Sequence, residues 1–326
     1  MSHAIAKAAK PAARMMANRV HRFGPPEVLV YEEIETPDPG PSQVLIRVLA
    51  GGVGPWDAWV RAGKSAVPQP LPLIPGSDVA GVVAATGHDV SGLQPGDQVF
   101  GVTNARFTGG YAEYAVAEAG MIAVKPPSLG FVEAAAAPVV AVTAAQMLFD
   151  HGGLGPGQTV LIHGAGGSVG ACAVQLALRA GARVIATTFP SDIDYLQSLG
   201  ATDVIDASRT AFEEEVRDVD LVLDTIGGAV LDKSLRIVRP GGVLVSSVAS
   251  PDQELAQKRG IRAVFFLVSV TRDRLSSLAD LMARDLLHVR VGAVLPLAQA
   301  RKAHEMLEGG PRPAGKIVLR HVDPRC

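Results

Sequence analysis

The chain has 326 residues, 48% hydrophobic and 19% charged, enough for two domains with substantial cores and ordinary for a globular enzyme. A formal net charge of −2 offers no basic field for nucleic acid or an anionic membrane surface, and no apolar run reaches the roughly 18 residues of a spanning helix. Two cysteines, Cys172 and Cys326, cannot build a disulfide framework or a cysteine-rich metal site, so a cytoplasmic location is expected.

Residues 1–15, MSHAIAKAAKPAARM, are basic, alanine-rich and free of acids. That composition is shared with organellar transit peptides, but a flexible tail is the preferred reading, because arginine is scarce and no hydrophobic signal core follows. Short strand-like pieces come next, VLIRVL (44–49), DVAGVVAAT (78–86) and DQVFGV (97–102), punctuated by Gly and Pro. They predict a compact, mostly β domain. KPPS ahead of the alanine-rich FVEAAAAPVVAVTAAQML places a boundary near residue 126.

At 159–172 the chain reads TVLIHGAGGSVGAC. Val160, Leu161 and Ile162 form a short apolar run, whereas Val169, Cys172, Ala173, Leu176 and Ala177 recur at helical spacing. The glycines therefore stand where a strand becomes a helix. There the first backbone N–H groups lack intrahelical acceptors and the peptide dipoles add partial positive charge, which suits an anion. Glycine lets the chain turn tightly and lets a diphosphate approach the backbone. In the [GA]-x-G-x-x-G frame the matching residues are Ala165, Gly167 and Gly170, with Gly164, Gly166, Ser168 and Val169 completing the loop.

Further strands are predicted at 182–188, 203–207, 220–225, 241–248 and 261–269, alternating with helical stretches at 191–199 and 229–238. Such alternation implies right-handed βαβ units and a doubly wound parallel sheet, a Rossmann domain. Gly227 and Gly228 follow the fourth strand at its carboxyl edge, where open α/β sheets bind ligands, although a helix-entry turn explains them equally well. Val248 and Ala249 end the next strand and face the same crevice through their backbones. Phe265 and Phe266 are candidates to border a nicotinamide, against the usual reading of such a pair as core. The tip of the second strand, TTFPSDID, offers the neutral hydrogen-bonding residues Thr187, Thr188 and Ser191, which suit the 2′-phosphate of NADPH. Asp192 and Asp194 lie close by and keep NADH open.

EVLVYEEIETPDPGPSQVLIRVLAGGVGPWDAWVRAG, PLIPGSDVAGVV, LQPGDQVFG, GGYAEYAV, HGAGGSVGACAVQLA and DTIGG, in this order, resemble the medium-chain dehydrogenase/reductase superfamily from about Arg19 to Leu319. The resemblance implies a GroES-like catalytic domain at 1–126, a Rossmann nucleotide-binding domain at 127–268 and a return segment at 269–326, with the active site in the interdomain cleft. That return includes a helix at 275–287. Zinc alcohol dehydrogenases of the superfamily carry Cys where this chain has Gly54 and His where it has Ser77. Neither replacement is a zinc ligand of the usual kind, and the four-cysteine structural lobe has no counterpart. The chain is therefore most similar to the zinc-independent quinone oxidoreductase and enone reductase branch, and no metal ligand is expected.

The implied activity is hydride transfer from NADPH to a small-molecule quinone or to the β-carbon of an enone, followed by protonation from water or a nearby group. The resemblance puts Thr143 near the nicotinamide and phosphates, and Asp57, Trp59 and Arg61 in or behind the substrate pocket. Gly54, Trp56, Tyr111 and Tyr114 are further candidates for that region. Relatives commonly have Asn at 54 and often Tyr at 59, so two groups that would hydrogen-bond the substrate are altered here. Asp57 and Arg61 are expected to pair with each other, and no proton donor is assigned. Pairing of the 261–269 strand across a two-fold axis would give a homodimer. Two other readings stay open: a nucleotide-binding regulatory protein without turnover, and a zinc-dependent alcohol dehydrogenase.

Overall fold

A computed structural model describes residues 12–310 and 313–321. They form two compact units, one made of the chain up to Val139 with Val270–Asp285 and Arg290 onward, the other of Val140–Ser269 with Leu286–Val289.

The first unit opens with β1 (Arg14–Val20) and β2 (Leu29–Glu35), an antiparallel ribbon. Arg14 and Met15, expected in the tail, are its first residues, because Met15 is buried against Ala17 and Ala112. Residues 1–11 of that expected tail lie outside the described residues. The long strand β3 (Gln43–Val53) runs directly into α1 (Pro55–Ala62). Pro55 at the first helical position has its φ already set for the helix, and Gly63 ends it at φ 73°, a left-handed conformation that glycine adopts without strain. Next come β4 (Asp78–Thr86), β5 (Gln98–Val102), β6 (Tyr114–Glu118) and β7 (Ile122–Val124). Val44, Ile46, Val48, Val79, Val83, Val99 and Ile122 form a core of side chains alternating off these strands. Helix α2 (Phe131–Ala136) buries Ala134, Ala135 and Ala136 and packs on β3 and β4. It therefore holds the first unit together past the composition change at residue 126, as far as Val139.

Helix α3 (Pro138–Ala145) carries the chain into the second unit. There β8 (Thr159–His163), α4 (Ser168–Arg179), β9 (Arg183–Thr188), α5 (Ile193–Ser198) and β10 (Asp203–Asp206) build its first half. After α6 (Phe212–Glu215), the second half consists of β11 (Val219–Asp224), α7 (Gly228–Ser234), β12 (Val238–Ser246), α8 (Gln253–Lys258) and β13 (Arg262–Phe265). Every strand pair is parallel, and the order β10-β9-β8-β11-β12-β13 is that of the doubly wound dinucleotide fold. Val160, Leu161 and Ile162 on β8 and Leu221, Val222 and Leu223 on β11 are all buried, as central parallel strands covered on both faces require. The order reverses between these two strands. The strand expected over 261–269 stops at Phe265, so Phe266 stands beyond the sheet.

The return segment supplies α9 (Arg272–Ala283), β14 (Val291–Pro296), α10 (Ala300–Leu307) and β15 (Lys316–Arg320). β15 pairs antiparallel with β3 and parallel with β14, completing a seven-stranded sheet in the first unit. At the start of α9, Arg272 donates to the carbonyls of Ala119 (2.7 Å), Ile122 (3.1 Å) and Ser91 (3.2 Å), tying the returning chain to that unit.

Candidate functional site

In the second unit the turn from β8 to α4 lies at the reversal of strand order, beside the carboxyl end of β11. Gly164 has φ 68°, and a β-carbon there would stand 2.4 Å from Thr225 Oγ1. A β-carbon on Gly166 would meet Thr188 Oγ1 at 2.6 Å, and one on Gly170 would meet the Gly164 carbonyl oxygen at 2.4 Å. Gly167 is less confined, with the same oxygen at 3.2 Å, and acts as the N-cap. The first-turn amides of Ser168, Val169 and Gly170 thus open a helix end that carries no acidic side chain. Ala165 is fully buried and its amide bonds Thr187 O at 3.0 Å, fixing the loop to β9. This wall of backbone fits a diphosphate: a β-carbon at Gly164, Gly166 or Gly170 would not fit, and the amides provide the charge.

Behind the loop, His163 is buried between two hydroxyls. Thr187 Oγ1 lies 2.9 Å from Nδ1, and Ser234 Oγ lies 2.9 Å from Nε2. Because Ser234 donates its own hydrogen to Val230 O (2.6 Å), it accepts from Nε2–H, and Nδ1 accepts from Thr187. Burial pushes the His163 pKa down to about 4, against the opposing pull of Asp224 and Glu213, so the ring is neutral at pH 7. Thr187 therefore gives its hydrogen inward rather than to a ligand. Thr188 is also buried, beneath Gly166, leaving Ser191 and Asp192 as the polar residues beyond the strand tip, with their side chains 3.3 Å apart.

At the ends of β11 and β12, Asp224 is fully buried and accepts from the amides of Ile226 (3.1 Å) and Gly227 (2.9 Å) and from Ser246 Oγ (2.8 Å). Ser246 Oγ in turn accepts from the amides of Val248 (3.3 Å) and Ala249 (3.2 Å). The two loops expected at the crevice are thus organised by one carboxylate. Gly227 and Gly228 have φ of 80° and 55°, values that favour glycine. Thr143 is buried on α3; Phe266 packs its ring 4.4 Å from that of His151, while Phe265 stays partly exposed.

In the first unit a second polar cluster surrounds Gly54. Asp57, at the third position of α1, folds back so that Oδ2 accepts from the Gly54 amide (2.8 Å) and from Tyr111 OH (2.9 Å), while Oδ1 is buried without a partner. Asp78 Oδ2 receives Lys316 Nζ at 2.9 Å, and both side chains are almost wholly buried. Burial raises the Asp57 pKa to about 7 despite the lowering effects of the Gly54 amide and Lys316. Burial and the neighbouring Asp57 charge hold the Tyr111 phenol well above its ordinary value.

The expected Asp57–Arg61 pair is not formed. Arg61 donates to Gly24 O (3.0 Å) and His304 Nδ1 (3.0 Å) and pairs with Glu308. The His304 pKa is pushed down to about 3 by burial and the Arg61 charge, so the ring is neutral, and it meets the Tyr111 ring edge-on at 5.7 Å. Tyr111 has no exposed surface and braces Asp57 rather than lining an open pocket. Tyr114 lies on β6, half-buried. Trp56 makes edge contacts with Trp59 (6.3 Å) and Phe107 (5.8 Å), and Trp59 turns outward beside Lys64 and Leu307. Asp78, Asp224, Ser246 and Lys316 were not singled out from the sequence, although PGSDVAG, DTIGG and the strand at 241–248 carry the first three.

Residues 40–128 match the alcohol dehydrogenase GroES-like domain, and residues 199–319 match the zinc-binding dehydrogenase family. The quinone oxidoreductase of Sus scrofa is 33% identical over 94% of this chain and 97% of its own length. The 2-methylene-furan-3-one reductase of Solanum lycopersicum is 36% identical over 70% of this chain and 62% of its own. The structure of the quinone oxidoreductase from Coxiella burnetii superposes with a TM-score of 0.88 at 32% identity, covering 95% of this chain and all of that one. A GroES-like domain joined to a doubly wound nucleotide-binding sheet is the architecture of the medium-chain dehydrogenases and reductases. Within that superfamily the chain belongs to the quinone oxidoreductase and enone reductase branch, and it is an oxidoreductase using a pyridine nucleotide and a small-molecule substrate.

Zinc, which one matched family is named for, does not suit the residues present. Gly54 has no donor, Ser77 is a buried hydroxyl, and the adjacent carboxylate of Asp78 holds an ammonium. Among the described residues no cluster of three or more His, Cys, Asp or Glu could hold a metal ion, and no helix is long and apolar enough to cross a membrane.

Gly170→Ala is expected to abolish pyridine-nucleotide binding in calorimetry, whereas Gly167→Ala weakens it far less, because only the first drives a β-carbon into backbone. Asp57 has a folded pKa above its unfolded one, so its contribution to stability is complete below about pH 4 and is lost as pH rises towards 7. Asp57→Asn keeps the neutral form, so its stability relative to wild type should grow by about 1.4 kcal/mol per pH unit across that window. Urea unfolding followed by tryptophan emission reads this in the first unit, because Trp56 and Trp59 are the chain's two tryptophans.

Proposed function

We propose that the protein reduces quinones, or the C=C bond of α,β-unsaturated carbonyls, with NADPH and without zinc. The observation that carries this reading is the glycine-walled amide cradle at Gly164, Gly166 and Gly170, placed at the switch point of the sheet. In this reading Gly164 to Gly170 hold the diphosphate. Thr143, Gly227, Gly228, Val248, Ala249, Phe265 and Phe266 border the nicotinamide half. When bound, the reduced nicotinamide supplies hydride. Conjugated acceptors suit a site without a Lewis acid, since the charge they gain spreads over several atoms and hydrogen bonding to oxygen is enough to stabilise it. In the first unit Gly54, Trp56 and Asp57 are the residues assigned to the acceptor.

The preference for NADPH rests on the tip of β9, where Thr187, Thr188 and Ser191 carry no charge. Asp192 works against it, because its Cγ lies 2.9 Å from where a Gly166 β-carbon would be. Steady-state kinetics with both coenzymes and a panel of quinones and enones should give the higher kcat/KM with NADPH. Asp192→Ser should widen the margin. A tenfold preference for NADH would overturn the coenzyme assignment, and nucleotide binding without oxidation by any acceptor would favour a regulatory protein. The protein is further proposed to act in the cytoplasm, where cell fractionation should recover it, and as a homodimer through β13, the end strand of its sheet. Light scattering should then give twice the chain mass; a monomer at all concentrations would rule the dimer out.

A further inference from the structure

We propose that Arg209, on the turn that follows β10, is a specificity-determining residue whose guanidinium meets the 2′-phosphate of NADPH. This rests on the NADPH reading and concerns the second unit alone. From position 184 to position 208 the chain has no Lys or Arg, so the tip of β9 carries no cation of its own, and Arg183 stands at the other end of that strand. A phosphate placed there, among hydroxyls and beside Asp192, needs a counter-charge from another element, and an arginine is the residue best shaped to give it.

The sheet supplies one. β10 lies parallel to β9 with Asp206 opposite Thr188, and the Ala207 amide bonds Thr188 O at 2.8 Å, so the turn after β10 adjoins the tip of β9. Residues opposite each other in a ladder point to the same face of a sheet, as His163 and Thr187 do in sharing a hydrogen bond. Thr188 Oγ1 lies 2.6 Å from where a Gly166 β-carbon would stand, so the Asp206 carboxylate leaves its strand on the side of the diphosphate cradle. The chain then turns sharply. The amides of Arg209 (3.2 Å) and Thr210 (3.0 Å) both donate to Asp206 O, and Asp206 Oδ1 accepts from the amide (2.9 Å) and hydroxyl (2.6 Å) of Ser208. Arg209 is thereby folded back over the strand end, with Nε 3.6 Å from Asp206 Oδ2. Neighbouring strands lie about 4.8 Å apart, so the tip of β10 is roughly 10 Å from that of β8, a gap that an adenosine ribose and its 2′-phosphate can bridge from a diphosphate held at Gly164 to Gly170. The Arg209 side chain is 83% exposed, and an exposed ion pair at that separation adds little stability, so the guanidinium can turn from Asp206 to a ligand and give two hydrogen bonds to one phosphate.

Calorimetry on the full chain with adenosine 2′,5′-bisphosphate and with AMP isolates this contact, because the two probes differ only in the 2′-phosphate and neither carries a nicotinamide. Wild type should bind the bisphosphate about tenfold more tightly than AMP, or better. Arg209→Gln should bring the two affinities to within about twofold of each other by weakening the bisphosphate alone, and Arg209→Lys should keep part of the difference as a point charge without the fork. Asp206→Asn retains an oxygen for the Ser208 amide but gives up its claim on the guanidinium, so it should widen the difference. The same order of variants is expected in the ratio of kcat/KM for NADPH to that for NADH. An Arg209→Gln protein that keeps the wild-type preference for the bisphosphate, whether or not its unfolding temperature falls, would overturn the role of Arg209 alone. A wild-type protein that binds AMP as tightly as the bisphosphate would remove the NADPH reading along with it.

Discussion

The second unit is organised around the close approach of backbone to backbone where β8 turns into α4. The Gly170 α-carbon faces the Gly164 carbonyl so closely that a β-carbon would come within 2.4 Å of it. That contact sets how tightly the helix seats on the strand end, and so where its free amides point. The second layer follows from it. His163, one residue before the turn, is locked by Thr187 on β9 and Ser234 on α7, and Thr225 after β11 bonds the His163 carbonyl at 2.8 Å. Three strands and a helix thereby fix one loop, the rigid support that anion binding by backbone amides requires.

Much of this was legible in the sequence because it depends on local chemistry. A strand, a glycine-rich turn and a helix in succession can be recognised from apolar spacing and absent side chains, and the order of the remaining strands follows from their alternation with helices. What the sequence did not reveal is which way individual polar side chains turn. Thr187 and Thr188 look like ligand donors in one dimension, yet alternation along β9 and the demands of His163 and Gly166 turn both inward. Asp57 and Arg61 stand four apart on a helix, the spacing of an ion pair. The orphan amide at the head of α1 claims Asp57, and a carbonyl, an imidazole and Glu308 claim Arg61. Lys316 reads as an ordinary strand-end lysine until β15 pairs with β3 and brings it to Asp78, more than two hundred residues away in the chain.

The two buried histidines and the buried lysine show how the interior sorts charge. His163 and His304 are each fixed in a neutral form, one by two hydroxyls and the other by an arginine that can only donate. A neutral imidazole costs little to bury and its two nitrogens can satisfy groups of opposite sense. An ammonium and a carboxylate are costly to desolvate, and a hydrophobic pair of equal volume would often serve stability as well or better. Lys316 and Asp78 are therefore hard to explain by stability alone.

That argument strengthens when Asp57 is added. Two carboxylates and one ammonium in a nearly dry cluster would carry a net negative charge, and burial relieves it by keeping a proton on Asp57 up to about pH 7. Asp57 Oδ2 meanwhile accepts from the Gly54 amide and Tyr111, and the ammonium's hydrogen bond goes to Asp78. The Lys316 ammonium, its side chain 6% exposed, is thus left to Asp78. A β-carbon at residue 54 would stand 3.4 Å from that ammonium, so the buried charge sits directly against the start of α1.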